Sequence, residues 1–116
     1  MPNWTPNWED VKWDFDAASA AVTSLKKAAD ALGQIFEKRN HISNMAREEW
    51  RGRKREEYDY RFNQQQFIAR RKRNELLNKA SEIQAASNKV LEEQKRREVE
   101  RDRWRLEKIA ETNIIT

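Results

Sequence analysis

Trp50-Arg51-Gly52 lies between two long stretches whose apolar residues recur at helical spacing. Gly occurs elsewhere only at Gly33, and no Pro follows Pro6. In a chain otherwise built from helix-forming residues, a Gly beside a bulky aromatic marks the place where one helix stops and the chain reverses. The tripeptide therefore predicts a helical hairpin, and the flanking segments set the length of its two limbs.

Upstream, Trp8, Val11, Phe15, Ala18, Val22, Leu25, Ala29, Leu32 and Phe36 are separated by alternating steps of 3 and 4 residues. This is a heptad seam over about four heptads, and such a seam requires a partner helix. Ala17, Ala21 and Ala28 flank it and permit close approach. Two prolines in Pro2-Asn3-Trp4-Thr5-Pro6-Asn7-Trp8 exclude regular helix before residue 7. Asn7 reads as an N-cap, with Asp10 in the position of a capping-box acid. Helix 1 is expected over about 8–39. Gly33 weakens it by about 1 kcal/mol relative to Ala without ending it. Residues 40–49, with two Asn and a Ser, interrupt the apolar rhythm and are expected to form a turn region running on to Gly52.

Downstream, Tyr58, Phe62, Gln65, Ala69, Leu76, Ala80, Ile83, Ser87 and Val90 form a rougher seam. Where a further seam residue is due, the basic run Arg70-Arg71-Lys72-Arg73 intervenes. Helix 2 is expected over about 53–110. It outruns helix 1, leaving about 20 charge-dense residues beyond residue 90. Trp104, Leu106 and Ile109 on that overhang are candidates for contact with another chain. The packing residues expected at the helix interface are Val11, Phe15, Val22, Leu25, Leu32, Phe36, Phe62, Leu76, Ile83 and Val90.

A chain of 116 residues, 37% hydrophobic and 38% charged, suits thin helices with narrow apolar seams rather than a thick core. Residues 1–49 carry 6 basic and 8 acidic side chains (net −2) and residues 50–116 carry 18 and 12 (net +6), together the +4 of the whole chain. Oppositely biased halves favour antiparallel pairing. With no Cys there is no disulfide and no thiol nucleophile. No apolar run reaches the roughly 20 residues of a membrane span. The first residues lack the blocks of a cleaved leader, so any export is expected to be independent of Sec.

The sequence gives no reason to expect an enzyme. The one histidine, His41, has no recognisable catalytic partner, two Gly 19 residues apart make no phosphate loop, and no metal-ligand spacing occurs. No cofactor or metal is expected. The basic clusters Arg51 to Arg55 and Arg70 to Arg73 raise nucleic-acid binding as an alternative. Four consecutive helical residues point in four directions, however, and Glu56, Glu57 and Asp59 dilute the first cluster, which argues against it. A general coiled-coil scaffold or adaptor is the other alternative.

The seam-bearing helix, Trp50-x-Gly52-x-x-Arg55-x-x-Tyr58-Asp59 and the second helix together resemble the WXG-type (Esx-like) small proteins of bacterial type VII secretion systems. The resemblance covers about residues 8–90. It implies an all-α antiparallel hairpin that pairs with a second hairpin as a homodimer or heterodimer, often a four-helix bundle. It further implies a secreted factor, or the accessory partner of a larger effector or toxin, present in the bacterial cytoplasm and then exported without a Sec signal. The second hairpin would then be another small protein or the N-terminal domain of the effector itself. Trp50 and Gly52, with Tyr58 on the seam, would shape the turn and contribute to a bipartite export signal read by the secretion machinery. The family's Tyr-x-x-x-acid tail motif is missing: Trp104 is followed by Lys108, with Glu107 one position short. That departure places this chain as the partner lacking the tail signal.

Overall fold

The computed structural model describes residues 2–49 and 51–115, with side chains described through Asn113. Trp50, the first residue of the turn motif, lies outside the described residues. Two helices, α1 (Phe15–Glu49) and α2 (Arg53–Ile115), account for all regular structure among the described residues. They form an antiparallel hairpin. Contacts descend in step along the two helices, from Gly33 beside Arg73 to Asn40 with Gln66, Ser43 with Tyr58 and Arg47 with Asp59. The molecule measures 96 × 19 × 17 Å. A helix of 63 residues is about 95 Å long at 1.5 Å per residue, so α2 alone sets the long dimension.

The reversal is made at Gly52, whose φ of +82° lies in the left-handed region that only Gly enters cheaply. Its carbonyl accepts from Glu56 N at 3.2 Å, so Gly52 is also the first capping residue of α2.

Both ends of α1 differ from the spacing-based expectation of about 8–39. The helix starts at Phe15, not Trp8. Asp14 is its N-cap: Oδ1 accepts from Ala17 N at 2.9 Å and the carbonyl from Ala18 N at 3.0 Å. Asn7 does bond forward, accepting from Glu9 N at 2.9 Å, but this closes a local turn rather than a helix. At the other end α1 continues through residues 40–49, which were expected to form a turn region. The 3–4 rhythm persists there as Phe36, Asn40, Ser43 and Arg47, with polar residues in place of apolar ones. The helix survives because those side chains find partners on α2. Arg47 in the last turn also complements the negative end of the helix dipole.

The core is a single line of contact. Its buried apolar residues are Ala18, Val22 and Ala29 on α1 and, on α2, Ala80 and, nearer the turn, Phe62; Ala29 and Ala80 have essentially no exposed surface. Leu25, Leu32, Phe36, Leu76, Ile83 and Val90 are half-buried along the same line. On α2 the inner position after Phe62 is Gln66, not Gln65, which points to solvent. The two irregularities of the seams oppose each other: Arg73 occupies an inner position of α2, and a Cβ placed on Gly33 would stand 3.6 Å from its Nε. The residue without a side chain gives room to the one whose side chain is too long.

No helix among the described residues is long and apolar enough to cross a membrane.

Candidate functional site

The overhang of α2 is covered by the chain's own N-terminus. Residues 2–14 form an extended arm that continues in line with α1 and runs back along α2. Trp13 Nε1 donates to Ser87 Oγ at 3.0 Å, and nine residues earlier Trp4 Nε1 donates to Glu107 Oε2 at 2.9 Å. The twenty helical residues between those anchors span about 30 Å, about twice what nine residues of α-helix would cover. A helix beginning at Trp8 would have advanced only 1.5 Å per residue and left Trp8 far short of Trp104. In the structure Trp8 meets Trp104 edge-to-face, with ring centroids 5.4 Å apart. Val11 is half-buried within the arm, and Phe15 opens α1 with a partly exposed ring.

The chemistry of α2's inner line changes where its partner changes from helix to arm. From Phe62 to Val90 it is mostly apolar; beyond Val90 it reads Gln94, Arg97, Arg101, Trp104 and Glu107. A helix satisfies its own backbone and can lie on an apolar line, whereas a lone extended chain offers unpaired N–H and C=O groups. The Gln and Arg side chains meet that need. Gln94 Oε1 accepts from Val11 N at 2.9 Å, and Arg97 NH1 donates to the Glu9 carbonyl at 3.1 Å. Arg101 donates to the carbonyls of Asn7 (2.9 Å) and Glu9 (2.6 Å) and forms an ion pair with Asp10 at 2.9 Å. Gln94 Nε2 also donates to Asp10 Oδ1. The Gln94 hydrogen bond, reinforced by Arg101, holds the Asp10 carboxyl below its ordinary value. Guanidinium groups flank the aromatic rings, Arg103 at 5.1 Å from the Trp4 centroid and Arg105 at 5.3 Å from that of Trp8.

Under the arm the α2 tail is braced along its own surface. Arg96 bridges Glu93 (2.6 Å) and Glu100 (2.7 Å), Arg97 reaches Glu93 (3.0 Å), and Arg103 reaches Glu107 (3.1 Å). Hydrogen bonds from Arg96 and Arg97 push the Glu93 carboxyl down to about 2.

The turn end holds the other polar cluster. Ser43 is buried and its hydroxyl lies 2.6 Å from that of Tyr58. Tyr58 and Phe62 stack at 6.0 Å, Arg47 lies 4.6 Å from the Phe62 centroid, and its Nε is 2.8 Å from Asp59 Oδ1. Gln66 donates to Asn40 in the same cluster. Tyr58, singled out with the turn motif, thus sits inside the hairpin joining the two helices, two turns from Gly52.

The outer surface of α1 carries a second line of small and apolar residues. Ala17, Ala21, Ser24, Ala28, Ala31 and Ile35 keep the 3–4 rhythm one position before the inner seam; Arg39 interrupts it, and beyond that Ile42 and Met45 add apolar surface. Ile42 and Met45 are 66% and 60% exposed. Nearby lies an open groove of about 700 Å³, floored by Leu32 and Leu76 and edged by Lys72, Glu75, Lys79 and Glu82. Of the three residues named for partner contact on the overhang, Trp104 is half-buried against Trp8, while Leu106 and Ile109 face solvent.

Half of the cations in the basic clusters are in local ion pairs: Arg53 with Glu57, Arg55 with Asp59, and Arg71 and Lys72 with Glu75. Arg73 turns inward. His41 is exposed on α1, and among the described residues no three His, Asp or Glu side chains converge as metal ligands.

No family model, no curated protein and no solved structure matches this chain.

Asn40, Ser43, Arg47, Gln66, Gln94, Arg97 and Arg101 were not among the residues singled out from the sequence. Each falls on the continued 3–4 rhythm of its helix, so the signal was periodicity carried by polar side chains.

Proposed function

We propose that this chain is a non-enzymatic binding protein whose hairpin packs against a second helical hairpin, in the manner of the Esx-like partners of type VII secretion systems. The observation that carries the reading is that α1 is apolar along two lines and α2 covers only one of them. A line running from Ala17 to Met45 is about 42 Å long at 1.5 Å per residue, enough for a full-length helical partner. Alanines along its first half let a neighbouring helix approach closely, and Ile35, Ile42 and Met45 supply the apolar area. The turn centred on Gly52 and the hairpin architecture suit the resemblance carried by Trp50-x-Gly52. In this reading the chain works in the bacterial cytoplasm as homodimer or heterodimer and accompanies a larger effector to the export machinery.

The test is co-expression with the products of neighbouring genes, followed by size-exclusion chromatography with light scattering. A stoichiometric complex is expected, lost in Ile35→Asp/Ile42→Asp with helicity retained. A chain that stays monomeric beside every neighbour, or a complex indifferent to those two substitutions, refutes the reading. Export itself is tested by Trp50→Ala with Gly52→Ala, which should reduce secretion; unchanged secretion removes the export role of the motif.

A further inference from the structure

We infer that the α2 tail from Gln94 to Glu107 is a docking site for an extended, tryptophan-bearing acidic segment, that residues 2–13 are its tethered occupant, and that the arm of a second copy takes the same site in trans. Three observations carry this, and none depends on the outer line of α1.

First, among the described residues, the hydrogen bonds, ion pair and ring contacts that residues 2–13 make beyond their own local turn go to α2 between Ser87 and Glu107, none to α1. The whole set is therefore transferable to another molecule's tail without disturbing the hairpin.

Second, the site persists when empty. The Glu93/Arg96/Glu100, Glu93/Arg97 and Glu107/Arg103 pairs, three or four residues apart, support the tail as a helix in its own right. Apart from Trp104, its inner line is also made of groups that tolerate water. An apolar line such as the one from Phe62 to Val90 would be costly to uncover, whereas Gln94, Arg97 and Arg101 exchange protein acceptors for solvent at small net cost.

Third, the recognition is specific in chemistry and undemanding in sequence. Arg101 grips two backbone carbonyls and one carboxylate, while Trp4 and Trp8, four residues apart, lodge against Glu107 and Trp104. A segment with two Trp spaced by four and an acid two residues beyond the second satisfies the side-chain contacts with the tail from Gln94 to Glu107. The arm of another copy has that pattern. Tethering gives a chain's own arm an effective concentration in the millimolar range, so exchange shows once that arm is weakened.

The test is complementation between two full-length variants. One carries Arg101→Ala, which spoils its tail but leaves its arm intact; the other carries Trp4→Ala with Trp8→Ala, which spoils its arm but leaves its tail intact. The chain has no Cys, so Asn3→Cys in the first and Ala110→Cys in the second, both exposed, accept a donor and an acceptor dye. Mixing is expected to give energy transfer at least tenfold above a control in which the second variant also carries Arg101→Ala. No transfer in chains of unchanged helicity overturns the inference. Equal transfer in the control overturns it too, because the association would then run through some surface other than the tail.

Discussion

The two glycines should respond to the same substitution with opposite signs. Gly33 lies in the interior of α1, where Ala is favoured over Gly by about 1 kcal/mol. The added Cβ would stand 3.6 Å from Arg73 Nε, an ordinary contact distance, so nothing has to move. Gly33→Ala is therefore expected to stabilise the hairpin by about 0.5–1 kcal/mol. For a chain of this size that is a rise in Tm of about 2–4 °C. At Gly52 the added Cβ meets no atom within 4 Å, yet the backbone sits at φ +82°, where an L side chain costs roughly 1–2 kcal/mol. Gly52→Ala should lower Tm by about 4–8 °C. Gly52→Asn should fall between the two, because Asn enters that region more readily. The assay is thermal melting by far-ultraviolet circular dichroism, with urea denaturation as a check. A destabilised Gly33→Ala would show that the space opposite Arg73 is needed and not merely tolerated. A neutral Gly52→Ala would show that the reversal does not depend on the left-handed conformation. Either result would refute the reasoning.

Two further outcomes follow from the packing and the charges. Ala29 and Ala80 are fully buried between the helices, so Ala29→Leu should cost about 1–3 kcal/mol in urea denaturation; a neutral result would mean that the interface at Ala29 has room for a larger side chain. The carboxyls of Asp10 and Glu93 are both depressed in the folded chain. The stabilisation they carry is complete above the ordinary carboxylate range and is lost as pH falls through the folded values, for Glu93 down to about 2. Tryptophan fluorescence should therefore report loosening of the arm at acid pH, below the ordinary carboxylate range, as Asp10 is protonated, with the apolar part of the hairpin still helical; an arm signal that does not change on acidification would contradict the role given to Asp10.

The apolar heptads from Ala18 to Phe36 and from Phe62 to Val90 were legible in the sequence, because burial of side chains at 3–4 spacing leaves a pattern that needs no partner's coordinates. The reversal before α2 was legible for a local reason, the backbone freedom of Gly52. Two things were not. Residues 40–49 look like a turn because Asn40 and Ser43 suit caps and loops, and only their partners Gln66 and Tyr58, across the hairpin, make them helical. Residues 8–14 look like the first turns of a helix because Trp8, Val11 and Phe15 continue the heptad. What overrides that local preference is distant in sequence: Gln94, Arg97 and Arg101 draw the backbone out, and Trp104 lies beyond the reach of a helix. The change from apolar to Gln and Arg along α2 was visible all along, but its meaning depends on knowing that the partner there is an extended chain.

The slenderness of the hairpin bears on how its assemblies will be weighed. Its radius of gyration is 27.4 Å, about twice what a compact chain of this length would have. A compact globule of that radius would need on the order of 750 residues, several times the length of this chain. On a gel-filtration column calibrated with globular standards, a single copy will elute where a sizeable oligomer is expected, and pairing side by side will shift it only slightly. Stoichiometry therefore has to be read from scattered light or sedimentation equilibrium, because migration reports the length of α2 before it reports the number of chains.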